Sequence, residues 1–589
     1  MTGREEMFWQ PVFDIEERPD GTILMRQQGE LGEVPRALPD RLVHWAEAAP
    51  DRCFLAERAA DGSWRRLSYA QVLDQVRALG QGLLEAGLGP DRPLLILSRN
   101  SVDHALLGLA AQYAGVPYAP ISTAYSLVST DHGKVRDIAA LLRPGMVYAE
   151  NGAAYRGALE AACGEAGADC IRLVSVNAAP GDRDYESLRA TAPGAQVDAA
   201  YAALTPDSVG KYLFTSGSTG SPKAVINTQY MMCSNQVMIA DSMRFLAQRP
   251  PVVVDWAPWN HTASGNKVFN MVLWHGGTYH VDEGRPTPEG MTATIRNLKE
   301  VAPTWYFNVP VAWERLVQAF DADPELKARF FSRLDLMMYA GAGMAQHLWD
   351  ALRRHAREAT GRDILLTTAL GATETGPFAL FCTEPQDSPG NIGVPAKGIT
   401  LKLVPNDGKL EARLKSPSIT PGYKGAPEVT AQHFDEEGFY RLGDAIRPAN
   451  PQDLARGFLF DGRVAENFKL ATGTWVAVGA LRAKLVDHFG GLIRDAVIVG
   501  EDRDFLTAIV LPAEPAPDAA TLRERLDSFA AGATGSSTRI CRIVPLDSAP
   551  DIDRGEVTDK GSINQRAVIR NRPHLVEALY EGGPEVIGD

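Results

Sequence analysis

Cysteine is scarce in this 589-residue sequence: Cys53, Cys163, Cys170, Cys233, Cys382 and Cys541 are scattered, without a CxxC pair or a neighbouring histidine cluster. That pattern excludes a disulfide scaffold and a structural zinc site of ordinary spacing, and it predicts reduced, mostly buried thiols in a cytoplasmic protein. Long apolar runs are also missing. The most apolar stretch, residues 105–121, is broken by Gly108, Gly115, Pro117 and Pro120 and is too short to cross a bilayer, so no membrane span is expected. The start, MTGREEMFWQ, carries two glutamates and leads into no apolar run, unlike a secretory leader. Basic charge is in deficit, with 59 Lys+Arg against 73 Asp+Glu and a net charge of −14. A nucleic-acid partner needs a basic face, so none is expected. Repeats of solenoid period and low-complexity tracts are absent too.

What is present is alternation. Residues 69–86 place apolar side chains at helical spacing, residues 93–97 read as a short buried strand, and residues 102–114 are helix-like again. Further strand candidates lie at 252–255, 304–309, 336–339 and 364–366, each beside a helical segment. Such alternation predicts an α/β fold built from parallel-rich subdomains. Between residues 404 and 425 the Asn406-Asp407-Gly408 and Pro421-Gly422 turn signals predict an antiparallel β piece. After Phe460 the chain starts again, with a helix near 481–488 and strands near 495–499 and 506–511. The expected organisation is a large domain over 1–460 and a small α+β domain over 461–589. The first 40 or so residues match no motif.

The segment most charged with chemistry is Tyr212-Leu-Phe-Thr-Ser-Gly-Ser-Thr-Gly-Ser-Pro-Lys223. A short apolar strand runs into Thr215, Ser216, Gly217, Ser218, Thr219 and Gly220, then into Lys223. Small hydroxyl residues and glycines let backbone N–H and side-chain O–H groups converge on an anion, and Lys223 adds a positive charge. The spacing is not that of the common G-x-x-x-x-G-K-[ST] loop. A flexible linker is the plain alternative, but a strand before the segment and Ala-Val-Ile after it argue against one.

This loop resembles the phosphate loop of the adenylate-forming (AMP-binding) superfamily, and further segments along the chain match that family in order. Leu370-Gly371-Ala372-Thr373-Glu374 is similar to its [YF]-G-x-T-E element, with Leu370 in place of the aromatic. The resemblance gives Thr373 an α-phosphate contact and makes Glu374 the Mg²⁺ ligand, which suits a metal that takes carboxylate and phosphate oxygens. Gly341, Ala342 and Gly343, after Tyr339, resemble the glycine-rich lining of the adenine and acyl pockets. Phe439-Tyr-Arg-Leu-Gly-Asp444 and Asp461-Gly-Arg463 imply that Asp444 and Arg463 hold the ribose and phosphates; two carboxylate oxygens suit two hydroxyls. Phe468-Lys469-Leu-Ala-Thr-Gly473-Thr-Trp-Val resembles the CoA-ligase form of the family, with Lys469 and Gly473 on the coenzyme A path. Trp256-Ala-Pro-Trp259-Asn-His261-Thr takes the place of a P-x-x-H segment; His261 is either a group beside the substrate carboxylate or a buried, hydrogen-bonded histidine.

One element departs from the family. Thr558-Asp-Lys-Gly-Ser-Ile-Asn-Gln565 puts Ser562 where relatives carry lysine, and Lys560 lies on the other side of Gly561. Lys560 is the expected catalytic cation, because a carboxylate must approach an anionic triphosphate. Ala465 stands where relatives carry Asp or Lys at a hinge, which leaves the pivot of the small, mobile domain open. The expected activity is ligation of a carboxylic acid to coenzyme A with ATP and Mg²⁺, through an acyl-adenylate. The form FKLATGTWV and the terminal TDKGSINQ resemble the feruloyl-CoA synthetase branch. The pocket candidates Trp259, His261, Phe307, Gly341, Gly343 and Pro377 suit an aromatic acid. The alternatives are a medium-chain acyl-CoA ligase, a ligase serving a carrier protein, and a non-catalytic nucleotide-binding protein. The chain's end at Asp589 without a fused carrier domain favours free coenzyme A. Monomer and homodimer both stay open.

Overall fold

A computed structural model describes residues 4–216, 222–406, 408–558 and 561–588. Gly217, Ser218, Thr219, Gly220 and Lys560, all expected in the site, lie outside the described residues.

The helices of the α/β part begin where side chains satisfy the first-turn N–H groups. Ser68 caps Tyr69–Glu85 in a capping box with Gln71, Ser101 caps Val102–Tyr113, and Thr228 caps Gln229–Ser242. The strands they flank are short and buried on both faces, as crossover connections require. Leu94–Ile96 pairs in parallel with Tyr118–Pro120 on one side and Met146–Asn151 on the other. That sheet has seven strands and ends in an antiparallel pair, Val209–Ser216 with Pro222–Thr228. A second sheet of four strands joins Val252–Asp255, Thr278–Val281, Cys53–Arg58 and Trp64–Ser68. A third, fully parallel, orders Trp305–Asn308, Leu336–Tyr339 and Leu365–Thr367.

The β piece is larger than the turn signals implied. Nine antiparallel strands run from Phe13–Glu17 and Ile23–Gln27 through Thr400–Asn406, Lys409–Lys415, Tyr440–Pro448, Phe458–Arg463 and Asn391–Pro395 to two short strands at 380–381 and 369–370. The opening residues, which match no motif, therefore supply its edge: Ile23 to Arg26 pair with Leu403 to Thr400. Only a partner almost 400 residues away completes that pairing.

A smaller C-terminal part holds Val478–His488 against a mixed sheet of Ile493–Val499, Leu506–Pro512, Ile540–Pro545 and Ile587–Gly588. It carries cores of its own around Leu485, Ile498 and Leu526, and around Val544 and Leu579. The protein is thus a mixed α/β fold with a large N-terminal part and a smaller C-terminal one. The two touch where Ile552 enters the core around Tyr125 and Ile138, where Thr130 N–H donates to Asp553 (3.0 Å), and where Lys134 Nζ donates to the Ile552 carbonyl (2.8 Å). All six cysteines are free. No helix among the described residues is long and apolar enough to cross a membrane.

Candidate active site

Strand register brings the first group of residues together. The antiparallel pair sets Thr215 opposite Lys223 at the mouth of the loop. Residues 422–424 lie along the outer edge of Pro222–Thr228: Ile226 N–H donates to the Gly422 carbonyl (3.1 Å), Lys424 N–H to that of Ala224 (2.9 Å), and Tyr423 bridges to Val225. Tyr423 thereby faces the short 3₁₀ turn Thr373–Thr375 that carries Glu374. Glu374 Oε1 accepts from Tyr423 Oη (3.0 Å) and from Thr215 Oγ1 (3.5 Å), and the Tyr423 and Tyr440 hydroxyls are 3.0 Å apart. The turn is tied down from its back, since Thr420 N–H donates to the Glu374 carbonyl (2.7 Å) and Ser418 Oγ to that of Thr375 (2.9 Å). Lys223 Nζ sits 5.4 Å over the Tyr423 ring. Tyr423 and Tyr440 were absent from the sequence-derived site; Tyr440 stands within the quoted Phe439–Asp444 segment and Tyr423 directly follows the Pro421-Gly422 turn, so adjacency was the only signal. Burial and the neighbouring Glu374 charge push both phenols up.

Asp444 and Arg463 come from adjacent antiparallel strands and are register partners. Arg463 Nε lies 3.1 Å from Asp444 Oδ1 as an ion pair, yet off the hydrogen-bond axis, and Oδ1 has no donor among the described residues. Burial pushes the Asp444 carboxyl up to about 6; Arg463 pulls it down, while Glu466 and Glu374 add to the rise. A buried carboxylate oxygen without a donor costs about 1–3 kcal/mol and is poised for a ligand hydroxyl. A ribose fits that demand. For Mg²⁺ the donor set is one carboxylate, Glu374, with hydroxyls around it. No cluster of three or more His, Cys, Asp or Glu among the described residues would hold a metal alone. That fits a Mg²⁺ ion bound chiefly through phosphate oxygens.

His261 and Trp259 occupy a different wall. Trp259 is buried in an aromatic cluster with His104, Phe269 and Tyr279, and its Nε1 donates to Tyr279 Oη (2.8 Å). That tyrosine and Ser264 Oγ both donate to Asp255 (2.8 and 2.6 Å), whose carboxyl burial pushes up. The indole is thus anchored as core, with part of its surface turned to a cavity of about 510 Å³ that His261, Trp256, Arg58, Arg99 and Arg285 also line. His261 is half-buried, and its carbonyl accepts from Gly265 N–H (2.8 Å) at the start of a π-helical turn, Ala263–Val268. Gly265 is required there, because a methyl group would collide with the Trp259 carbonyl oxygen. π-bulges recur at functional sites.

The remaining candidates are dispersed. Gly341, Ala342 and Gly343 are exposed on the loop after Leu336–Tyr339, and Gly341 has φ +88°, open to glycine. Phe307 is nearly buried and stacks on Trp305 (centroids 6.3 Å apart). Leu370 is half-buried opposite Leu380, and Gly371 packs against the Pro377 backbone so tightly that a side chain has no room. Lys469 and Gly473 belong to the small Phe468–Lys469/Trp475–Val476 hairpin; Lys469 is exposed with its amine 5.5 Å over the Trp475 ring.

Residues 42–423 match the AMP-binding enzymes as a family. The chain belongs to the AMP-binding enzyme family. This AMP-binding enzyme is similar to a carboxylic acid reductase of Mycobacterium marinum, 24% identical over 580 residues that cover 87% of this chain and 46% of the reductase. It is similar to 4-coumarate–CoA ligase 2 of Oryza sativa subsp. japonica, 25% identical over 512 residues, 82% of this chain and 85% of that ligase. Its fold is that of a benzoate CoA ligase from Burkholderia xenovorans LB400, with a TM-score of 0.70 at 20% identity, covering 90% of this chain and 99% of the other. The chain spans less than half the length of the carboxylic acid reductases it matches.

Proposed function

We propose that this AMP-binding enzyme is an ATP-dependent carboxylic acid:CoA ligase, and that its acids are hydroxycinnamates such as ferulate. The observation that carries the reading is the convergence, at the mouth of the phosphate loop, of Thr215 and Lys223 with Glu374, beside the buried Asp444 whose Oδ1 has no donor among the described residues. Asp444 and Arg463 hold the ribose. Thr215 to Lys223 and Thr373 hold the phosphates. Glu374 would hold Mg²⁺, which supplies neutralisation of phosphate charge. The acid's carboxylate oxygen attacks the α-phosphorus as pyrophosphate departs, with Lys560 offsetting the accumulating charge. Residues 461–589 then turn as a unit, the hairpin with Lys469 and Gly473 guides coenzyme A in, and its thiolate displaces AMP. Dividing the steps between two arrangements protects the mixed anhydride from water.

The substrate class rests on the aromatic rings of Trp259 and Phe307 beside the small residues Gly341, Gly343 and Pro377, on the feruloyl-synthetase-like form FKLATGTWV, and on the coumarate ligase relative. Thioester formation with ATP, Mg²⁺ and CoA against ferulate, coumarate, benzoate and octanoate tests it. Selective turnover of the hydroxycinnamates is expected. Turnover of octanoate alone would discard the aromatic pocket, and silence with every acid despite ATP binding would make the protein a non-catalytic nucleotide binder. One second reading is a ligase serving a carrier protein, in which the acyl group passes to a thiol on another protein. Acid-dependent pyrophosphate release without loss of free CoA is its signature.

A further inference from the structure

Two lysines meet at the π-helical turn, Lys267 within it and Lys211 on the strand Val209–Ser216 beside it, and both are almost wholly buried: Lys211 at 1% exposure and Lys267 at 2%. Burial pulls each amine down to about 7. Lys211 is accounted for, since its Nζ donates to the Gly265 carbonyl (3.1 Å) that the wide turn leaves available, and it rests 5.2 Å over the Tyr118 ring. Among the described residues Lys267 has no such acceptor. Its Nζ meets only the Met338 thioether sulfur (2.8 Å) and the rings of Phe378, Phe381 and Trp305 at 5.0, 5.6 and 5.8 Å, and no carboxylate among the described residues pairs with it. Sulfur is a weak acceptor for a group with three donors. The rings offset part of the cost of a buried ammonium, but a methionine or leucine would fill the same space with no cost.

The position gives the amine a use. Met338 is the register partner of Phe307, Trp305 stacks on Phe307, and Phe378 follows Pro377. Lys267 therefore ends behind the three segments expected to wall the acyl pocket. Beside Gly376 and Pro377 lies a void too small for a water molecule, bordered by Met231, Met232, Asn235 and Asn266. Asn235 and Asn266 each leave a buried side-chain oxygen without a donor among the described residues. Unpartnered donors on Lys267 and unpartnered acceptors on the same turn (Asn266) and on the helix Gln229–Ser242 (Asn235) are what a hydroxyl-bearing ligand would complete. Thioether side chains on this wall are flexible enough to open it.

We infer that Lys267 is a specificity-determining residue at the blind end of the acyl pocket, where it binds an acidic oxygen on the substrate remote from the reacting carboxylate, the phenol of a hydroxyaryl acid. This deepens the ligase reading and rests on it. The test compares 4-hydroxycinnamate with 4-methylcinnamate, a neutral analogue of nearly equal size, in the wild type and in Lys267→Met. The wild type is expected to favour the phenol in kcat/KM by about tenfold or more, the penalty for leaving a buried donor unmade. Lys267→Met is expected to bring that ratio within about threefold of unity while keeping turnover of the methyl acid. An unchanged ratio in the variant, or no preference in the wild type while both acids are turned over, overturns the inference. If Lys267→Met does not fold, calorimetric binding of the two acids to the wild type decides: tenfold weaker binding of the methyl acid supports the role, and equal binding removes it. Silence of the wild type with every acid would instead strike the ligase reading, and the same calorimetry would still judge Lys267.

Discussion

Asp444→Asn is expected to strengthen the fold and weaken nucleotide binding together. In the unfolded chain this carboxyl titrates at an ordinary 3.8; in the folded protein burial raises it to about 6. A carboxyl raised on folding binds its proton more tightly in the native state, so stability is lost as pH rises. The loss is absent below about pH 4, grows between 4 and 6, and is complete above that. At 1.36 kcal/mol for each of roughly two units, ionised Asp444 costs the native state about 3 kcal/mol at pH 7.5. Asparagine keeps the shape and discards the charge. Arg463, left without its partner, is 61% exposed and solvated, so little is lost on that side. Urea unfolding should therefore show the variant up to about 3 kcal/mol more stable at pH 7.5, with the advantage shrinking toward zero near pH 4. ATP affinity should move the other way. Hydrogen bonds to a charged acceptor are worth about 1.5–3 kcal/mol, so weakening of tenfold or more is expected. Wild-type ATP affinity should rise with pH through about 6 as the carboxylate forms. A variant that is less stable at pH 7.5, or that binds ATP as tightly as the wild type, would refute both the burial argument and the ribose assignment.

Glu374→Gln should leave stability within about 1 kcal/mol, because an amide oxygen can still accept from Tyr423, yet lower adenylation by about 100-fold; steady-state pyrophosphate release over a Mg²⁺ series reads this, and full activity would remove Glu374 from the metal. Gly265→Ala should destabilise by about 3 kcal/mol in urea unfolding, since its methyl has nowhere to go against the Trp259 carbonyl, and a neutral outcome would mean that the π-helical turn relaxes freely. Lys560→Ala should depress adenylate formation far more than thioester formation from added acyl-adenylate; equal loss of both half-reactions would refute its assignment.

Local chemistry made much of this protein legible. Apolar spacing located Tyr69–Glu85, Val102–Tyr113 and the short parallel strands within a residue or two, because those elements are buried on the faces the pattern marks. Short-range motifs also named Thr215, Glu374, Asp444 and Arg463, since close backbone approach and paired acceptors demand particular residue types at fixed spacing. Strand register, by contrast, is a non-local property. No local signal showed that Phe13–Glu17 and Ile23–Gln27 would edge a sheet formed with residues 400–463, or that Tyr423 would close over Glu374. The sequence marked Trp259 and His261 as one functional segment; packing sends the indole into a hydrogen-bonded core and leaves the imidazole half-buried at a cavity. Lys267 shows the limit most clearly. In the sequence it is one lysine among many, and only the tertiary structure, by surrounding its amine with rings and a sulfur atom, makes its charge expensive and its position informative.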